Sequence, residues 1–363
     1  SDLGTGETLQ DRVRSGIYQA LTRLQAVREQ FDIAMVYFPN RWLPHLRTKE
    51  FDAHDELKAL AAQQGIPTQV VNDKSLLFGN HGARAWRLAI AMYAKAGGIP
   101  WKLAPIPGVP QDTAYIGLAY AIRRADDQAH YVTCCSQVFD TEGGGMQFVA
   151  FQANDEIKDL NEAKRNPFLS QSDMRAVLTR SLRLYMDGHP GRTPRRLVLH
   201  KTTAFTESEL QGVRDATQAI KEVECLEVGA GGAWRGVWMV DAPGKEPPIQ
   251  AHGYPVPRGT MVMTTGTSCL LWVAGNAPAA TRGRDFFQGG KSIPKPIVLR
   301  RHMGRGLFDI LALEAIALAK MDWNNDALYD PVPVTIMYSQ RLSRIISNVQ
   351  RLPGSAYPYR LFM

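Results

Sequence analysis

The sequence predicts an α/β protein in two parts, a small domain with a parallel sheet over residues 1–103 and a larger domain over residues 104–363. Three observations predict it. Strand-length and helix-length apolar runs alternate through the first hundred residues. Three strand-like runs then follow one another with no helix between them. Between these regimes lies a proline-rich stretch, PWKLAPIPGVPQD, from Pro100 to Asp112.

Each element has a local reason. From Thr8 to about Arg28 the apolar spacing is that of an amphipathic helix, and FDIAMVYFP (Phe31 to Pro39) is a short buried strand ended by proline. HDELKALAAQQG (His54 to Gly65) reads as a helix with a glycine stop, IPTQVV (Ile66 to Val71) as a strand, and AWRLAIAMYAKAGG (Ala85 to Gly98) as a second helix. The strand-like runs are Thr113 to Ile122, His130 to Asp140 and Gly145 to Ala153. A helix (SQSDMRAVLTRSLRLYMDG), a buried strand (RRLVLHKTT) and a helix with a capping-box start (TESELQGVRDATQAIK) come next. Three antiparallel strands followed by helix, strand, helix and strand is the order of an RNase H-like fold. Strands alternate from Cys225 to Val298, and the helix LFDILALEAIALAK and a last helix from Ser339 to Leu352 complete the chain.

Composition bounds the function. With 363 residues, 45% hydrophobic and 21% charged, the chain is globular and long enough for two cores. No window reaches membrane length, and the polar start SDLGTGETLQDR is not a signal peptide, so a cytoplasmic protein is expected. Cys134, Cys135, Cys225 and Cys269 fit neither a zinc spacing nor a disulfide framework. The net charge of +7 suits a polyanionic partner.

One set of residues stands out. His54 and Lys58 lie four apart on one predicted helix face, Gln69 follows on the next strand, and Lys95 ends the next helix ahead of Gly97 and Gly98. Two cations, an imidazole and an amide on neighbouring elements can converge on one phosphate. Singly, each is more often a solvated surface group; their order and spacing carry the reading.

With these residues in place the sequence resembles the Argonaute family. The resemblance rests on His54, Lys58, Gln69 and Lys95, on KAGGIPW, on YIG at Tyr115 to Gly117, on LVLHK at Leu197 to Lys201, on PVPVTIMYS at Pro331 to Ser339 and on the end YPYRLFM. It covers the chain from about Phe31 to Met363. It implies a small Rossmann-like MID domain over 1–103 that holds the 5′-phosphate of a guide through those four residues, and an RNase H-like PIWI domain over 104–363.

The same resemblance implies a PIWI domain without nuclease activity. Slicing members use carboxylates to hold two Mg²⁺ ions. The first carboxylate position is Ala119 here, the second is Thr202, and the fourth falls near Lys320. Neither alanine nor threonine replaces a carboxylate as a hard-cation ligand. Glu156 and Asp322 remain as isolated carboxylates, and a guided endonuclease with such unorthodox ligands is one alternative.

Binding remains. Arg341, Arg344, Arg300 and Arg301, with Arg258, Arg282, Arg284, Lys291, Lys295 and Arg305, are available for phosphate contacts, while base pairing supplies specificity. The resemblance places the carboxylate of Met363 beside a structural Mg²⁺ at the guide 5′ end. With no N-terminal or PAZ domain ahead of MID, it is closest to short prokaryotic Argonautes. Those imply a 5′-phosphorylated guide RNA, a complementary target DNA from plasmid or phage, and a partner with an APAZ region and a TIR, sirtuin-like or nuclease effector, all in prokaryotic immunity. The corresponding part of a longer inactive Argonaute is the other reading.

Overall fold

A computed structural model describes residues 6, 8–48, 51–73, 80–124, 130–142, 145–288, 293–324, 328–348 and 356–363. Helix α1 (Leu9–Gln25) opens on a capping box in which Thr8 and Asp11 each accept from the other's backbone N–H. Its Val13, Ile17 and Leu21, spaced by four, are buried beside Leu57 and Ala61. Strands β1 (Ala34–Phe38) and β2 (Thr68–Asn72) pair in parallel, with Ala34 opposite Thr68. Around them lie a short turn α2 (Leu43–Leu46), α3 (Ala53–Gln63), capped by Asp52, and α4 (His81–Lys95), capped by Asn80. The expected parallel α/β unit is present, and α1 is part of its core.

The larger sheet begins with the antiparallel strands β3 (Thr113–Arg124), β4 (His130–Phe139) and β5 (Gly145–Glu156). Helices α5 (Leu160–Arg165) and α6 (Gln171–Gly188) lead to β6 (Arg196–Lys201), parallel to β3. Helix α7 (Glu207–Ala216) then leads to β7 (Glu222–Ala230), parallel to β6. Strands β8 (Met239–Asp241) and β9 (Ile249–Ala251) form a separate pair. Strands β10 (Met261–Thr265), β11 (Ser268–Leu271) and β12 (Ile297–Met303) extend the main sheet, and β13 (Ala356–Pro358) joins its other edge. The order is β10-β11-β12-β7-β6-β3-β4-β5-β13.

Helices cover both faces of the sheet. Helices α6 and α7 bury Val177, Leu178, Leu210 and Val213 against Ile116, Leu118, Leu197 and Leu199. On the other face α8 (Phe308–Leu318) and α9 (Val334–Asn348) pack on Tyr115, Val198, Leu226 and Leu299. All six residues of β6 are buried, as a central parallel strand requires. This is a mixed α/β architecture with the predicted strand order. One boundary differs: the last helix begins at Val334 rather than Ser339, because Thr335 and Val334 already pack against the sheet and Gly117 leaves no room for a Cβ beneath Thr335.

The last residues tie the two parts together. Tyr357, Leu361 and Phe362 share a buried cluster with Ala59 and Ala62 of α3 and with Leu342 and Ile345 of α9. Asp55 of α3 is buried and accepts two bonds from Arg344 of α9, both at 3.1 Å. Burial alone would push the Asp55 carboxyl up, but His54 and Arg344 more than offset this and hold it below its ordinary value. We expect Arg344→Ala to lower the melting temperature by several degrees, because it strands a buried carboxylate, and Arg344→Ala with Asp55→Ala to recover part of the loss. Thermal melts of the three variants check this.

Candidate nucleic-acid interface

The predicted residues meet where α3, α4, β2 and the chain end converge. Lys58 is 1% exposed; its Nζ donates to the carbonyl of Thr68 at 2.7 Å and to a main-chain oxygen of Met363 at 2.5 Å. Lys95, also 1% exposed, occupies the last turn of α4, where the helix carbonyls favour a cation. Its Nζ donates to Gln69 Oε1 and lies 3.4 Å from Asn324 Oδ1. Gln69 Nε2 donates to the Val70 carbonyl at 2.9 Å, which fixes the amide with its oxygen toward Lys95.

Arg341 of α9 completes the group. It lies over the Tyr338 ring at 5.1 Å, with Nη2 3.9 Å from Asp322, and its buried Nη1 has no hydrogen-bond partner among the described residues. Asp322 is itself held by the Tyr338 hydroxyl at 2.7 Å and by Asn324 N–H at 2.8 Å. Burial pushes Lys58 far below the usual lysine range, and Lys95 and Arg341 push it further. Burial brings Lys95 down to about 7, with Arg341 adding to the shift and Asp322 opposing it.

Three cationic side chains from three elements meet in this largely buried group, Lys95 and Arg341 lowering Lys58 and Arg341 lowering Lys95, and the Asp322 carboxylate is shared with a tyrosine hydroxyl. A phosphate monoester would supply negative charge and acceptors for all three.

Of the four predicted phosphate ligands, Lys58, Gln69 and Lys95 come together. His54 stands at the rim, with Nδ1 3.2 Å from Asp55 Oδ1 and its side chain 42% exposed. Asn324, Asp322 and Tyr338 were not foreseen; Asn324 lies 229 residues from Lys95 and no local pattern marks it. Gly97 is the conformational stop behind Lys95. Its φ is +99°, and a Cβ there would lie 2.9 Å from Arg360 Nη1. Gly97→Ala is expected to cost about 1–2 kcal/mol and to weaken phosphate binding, measured by denaturant unfolding and by guide titration.

The remaining basic residues divide. Arg344 ties α9 to Asp55 of α3, as described above, and is not a free phosphate contact. Arg301 donates to the Gly306 carbonyl and lies 4.7 Å from the Phe308 ring centroid, and Arg258 donates to the carbonyls of Val273 and Ile316, so both are internal tethers. Arg300 is exposed beside Glu227, and Arg282, Arg284, Lys295 and Arg305 are also exposed. Lys291 lies outside the described residues.

At the degenerate nuclease positions the register is informative. Gly117 pairs with His200 and Leu118 with Lys201, so one further step sets Ala119 beside Thr202. Ala119 is buried. The carboxylate bonded at this end of the sheet is Glu209, and it holds Lys201 at 2.7 and 2.9 Å and the Tyr120 hydroxyl at 2.8 Å. Burial and then Arg196 bring His200 down to about 3, so it is a neutral partner of Thr335. Helix α9 crosses β3 here, with Ser343 Oγ on the Tyr120 carbonyl at 2.8 Å. Lys320, near which the fourth position was expected, lies over the Trp101 ring, and its carbonyl accepts from Trp101 Nε1 at 2.9 Å. Asp322 belongs to the lysine pocket, and Glu156 is exposed at the end of β5.

The main-chain oxygen of Met363, the residue expected to face a divalent ion, accepts from Lys58 Nζ, and the oxygens of Thr68 and Gln69 accept from Lys58 and Lys95. Among the described residues, Asp52, His54 and Asp55 place ligand atoms within 4.8 Å of one another. Asp52 caps α3, however, and Asp55 is paired with Arg344.

No family profile matches the chain, and no curated protein is similar to it. Solved structures do share its fold. Clostridium butyricum Argonaute bound to a guide DNA with a 5′ deoxycytidine and to a 19-mer target DNA aligns with a TM-score of 0.65 at 14% identity, over 99% of this chain and 42% of that one. A. aeolicus Argonaute aligns at 0.62 and 15% over 95% of this chain and 43% of that one. Aa-Ago with externally bound siRNA aligns at 0.59 and 14% over 96% and 44%. The chain thus has the fold of part of these Argonautes and spans less than half of their length. Among the described residues, no helix is long and apolar enough to cross a membrane.

Proposed function

We propose that this chain is a guide-holding module that grips the 5′-phosphate of a short nucleic acid strand and presents that strand for pairing with a complementary target, without cutting it. One observation carries the proposal: Lys58, Lys95 and Arg341, from three elements, converge in one largely buried group beside Gln69. The Argonaute neighbours, one of them bound to guide and target DNA, support the pairing step by fold. Absence of slicing is favoured by alanine at 119 and threonine at 202, just beyond the paired Leu118 and Lys201, where a metal site needs carboxylates. RNA as guide, DNA as target, and an APAZ-bearing effector partner in defence against plasmids or phage follow from the resemblance to short Argonautes.

The test compares guides with a 5′-phosphate and a 5′-hydroxyl at one salt concentration. The phosphorylated strand is expected to bind at least tenfold more tightly, with the preference unchanged in EDTA and lost in Lys58→Ala with Lys95→Ala. A labelled target is expected to stay intact in Mg²⁺ and Mn²⁺. Equal binding of both guide ends overturns the pocket assignment, and metal-dependent cutting abolished by Glu156→Ala or Asp322→Ala overturns the absence of slicing.

A further inference from the structure

Helix α6 carries a row of arginines that the guide pocket does not use. Between residues 174 and 206 the sequence holds seven Lys and Arg residues and a single acid, Asp187. Arg196 and Lys201 are buried in ion pairs with Glu314 and Glu209, which leaves Arg175, Arg180, Arg183, Arg192 and Arg195 exposed. The first three share one side of α6, because residues 175, 179 and 183 lie one turn apart and Arg180 follows Thr179. Arg175 and Arg180 line one open groove with Ser172, Thr179 and Asp215 of α7. Other exposed arginines of the chain close on carboxylates: Arg47 on Asp52, Arg214 on Glu207 and Arg300 on Glu227. Among the described residues, Arg175, Arg180 and Arg183 have no carboxylate partner. Asp187, one turn beyond Arg183, makes no ion pair with it, and Asp215 is bonded by the amides of Gln171 and Gln211 at 2.7 and 3.2 Å. Arg180 lies over the Phe151 ring, 4.9 Å from its centroid, which holds the guanidinium in place.

We infer that this side of α6 is a second nucleic-acid site, one that grips the phosphate backbone of a DNA duplex without reading its sequence. Unpaired guanidinium groups on an exposed surface attract a polyanion, and a duplex carries about one charge per 1.7 Å of its axis. A single strand would be held by stacking on exposed aromatic rings, and α6 exposes none. An acidic protein partner would bury an apolar centre, and the large apolar side chain that α6 exposes is Met186, in its last turn. Arg175 and Arg183 are set about 12 Å apart along the helix, close to the ~12 Å width of the major groove, so together they can meet phosphates of both strands. Helix α6 packs on the opposite face of the main sheet from α8 and α9, and α9 is a wall of the guide pocket. The site therefore adds to the guide reading and does not depend on it. In a guided complex, duplex flanking the paired stretch would rest on α6.

The test is fluorescence anisotropy of the whole chain, without guide, on a labelled DNA duplex of about 30 base pairs between about 50 and 200 mM salt. Its ends carry 5′-hydroxyls and so offer the phosphate pocket nothing. The wild type is expected to bind in the micromolar range at the lower salt. Arg175→Gln with Arg183→Gln is expected to bind at least about tenfold more weakly and to flatten the slope of log K against log salt by about 2, with an unchanged thermal melt. An equal loss of charge on α1, Arg12→Gln with Arg23→Gln, is expected to change duplex affinity less than about twofold. No duplex binding by the wild type overturns the inference. So does an equal loss in both double variants, since the attraction is then one of net charge. Tighter binding of a single strand of the same length, or of polyglutamate, also overturns it, because the face then serves another polyanion. Equal binding of 5′-phosphate and 5′-hydroxyl guides, by contrast, strikes only the guide pocket.

Discussion

Lys58→Met makes the free protein more stable and abolishes its preference for a 5′-phosphate. In the free protein Lys58 is fully enclosed, and burial, Lys95 and Arg341 all disfavour its charged form, so folding near neutral pH takes a proton off the lysine or buries its charge. Methionine fills nearly the same volume with no charge to desolvate. What is lost is the bond to Thr68 and the bond to Met363, worth about 1 kcal/mol each. The relief exceeds that loss, and the melting temperature rises by a few degrees. The cost falls on function, because a charge-assisted bond to phosphate disappears from a desolvated pocket, and the phosphorylated guide binds about 30- to 1000-fold less tightly. A calorimetric melt beside a guide titration separates the two effects. A destabilised variant that still prefers phosphate would mean that Lys58 is a structural lysine, there to hold the chain end.

The sequence carried the architecture because its elements are local. Capping residues at Thr8, Asp52 and Thr206, glycine stops and apolar periodicity each act within a few residues, and the strand order follows from runs that are short, buried and correctly spaced. The pocket was legible on its N-terminal side for the same reason: His54, Lys58, Gln69 and Lys95 belong to consecutive elements of one small unit. Its C-terminal side was not. Asp322, Asn324 and Tyr338 reach Lys95 and Arg341 only because α8, α9 and the chain end fold back across α3 and α4. The arginines show the limit most clearly. Arg341 and Arg344 are three residues apart on one helix, yet Arg341 keeps an unpartnered nitrogen in the pocket while Arg344 closes on Asp55. Which buried acid lies opposite decides the role, and that is a tertiary fact.

Binding of a 5′-phosphorylated strand takes up protons, and its affinity falls as the pH rises above neutral. In the free pocket Lys95 titrates near 7, mainly because it is buried, with Arg341 adding to the effect and Asp322 opposing it. Lys58 is displaced in the same direction by the same kind of environment. A bound phosphate restores an opposite charge within contact distance and raises both, so the complex holds protons that the free protein has released. Between about pH 7 and 9 the affinity for a phosphorylated guide is expected to fall by up to tenfold per unit. Below about pH 6 the trend reverses as the phosphate loses its second charge, which leaves an optimum near pH 6 to 7. Stability of the free protein runs the opposite way. The unfolded chain binds its lysine protons up to about 10.5, the folded one releases that of Lys95 near 7, and stability therefore rises across that window. Titration calorimetry in two buffers of different ionisation enthalpy counts the protons directly, and a 5′-hydroxyl guide is the control that takes up none. Uptake that persists in Lys95→Met at its full wild-type value would assign the titration to Lys58 alone. Uptake of zero with the wild type would mean that both lysines are already charged in the free pocket and that the cluster is balanced by an anion of the protein itself.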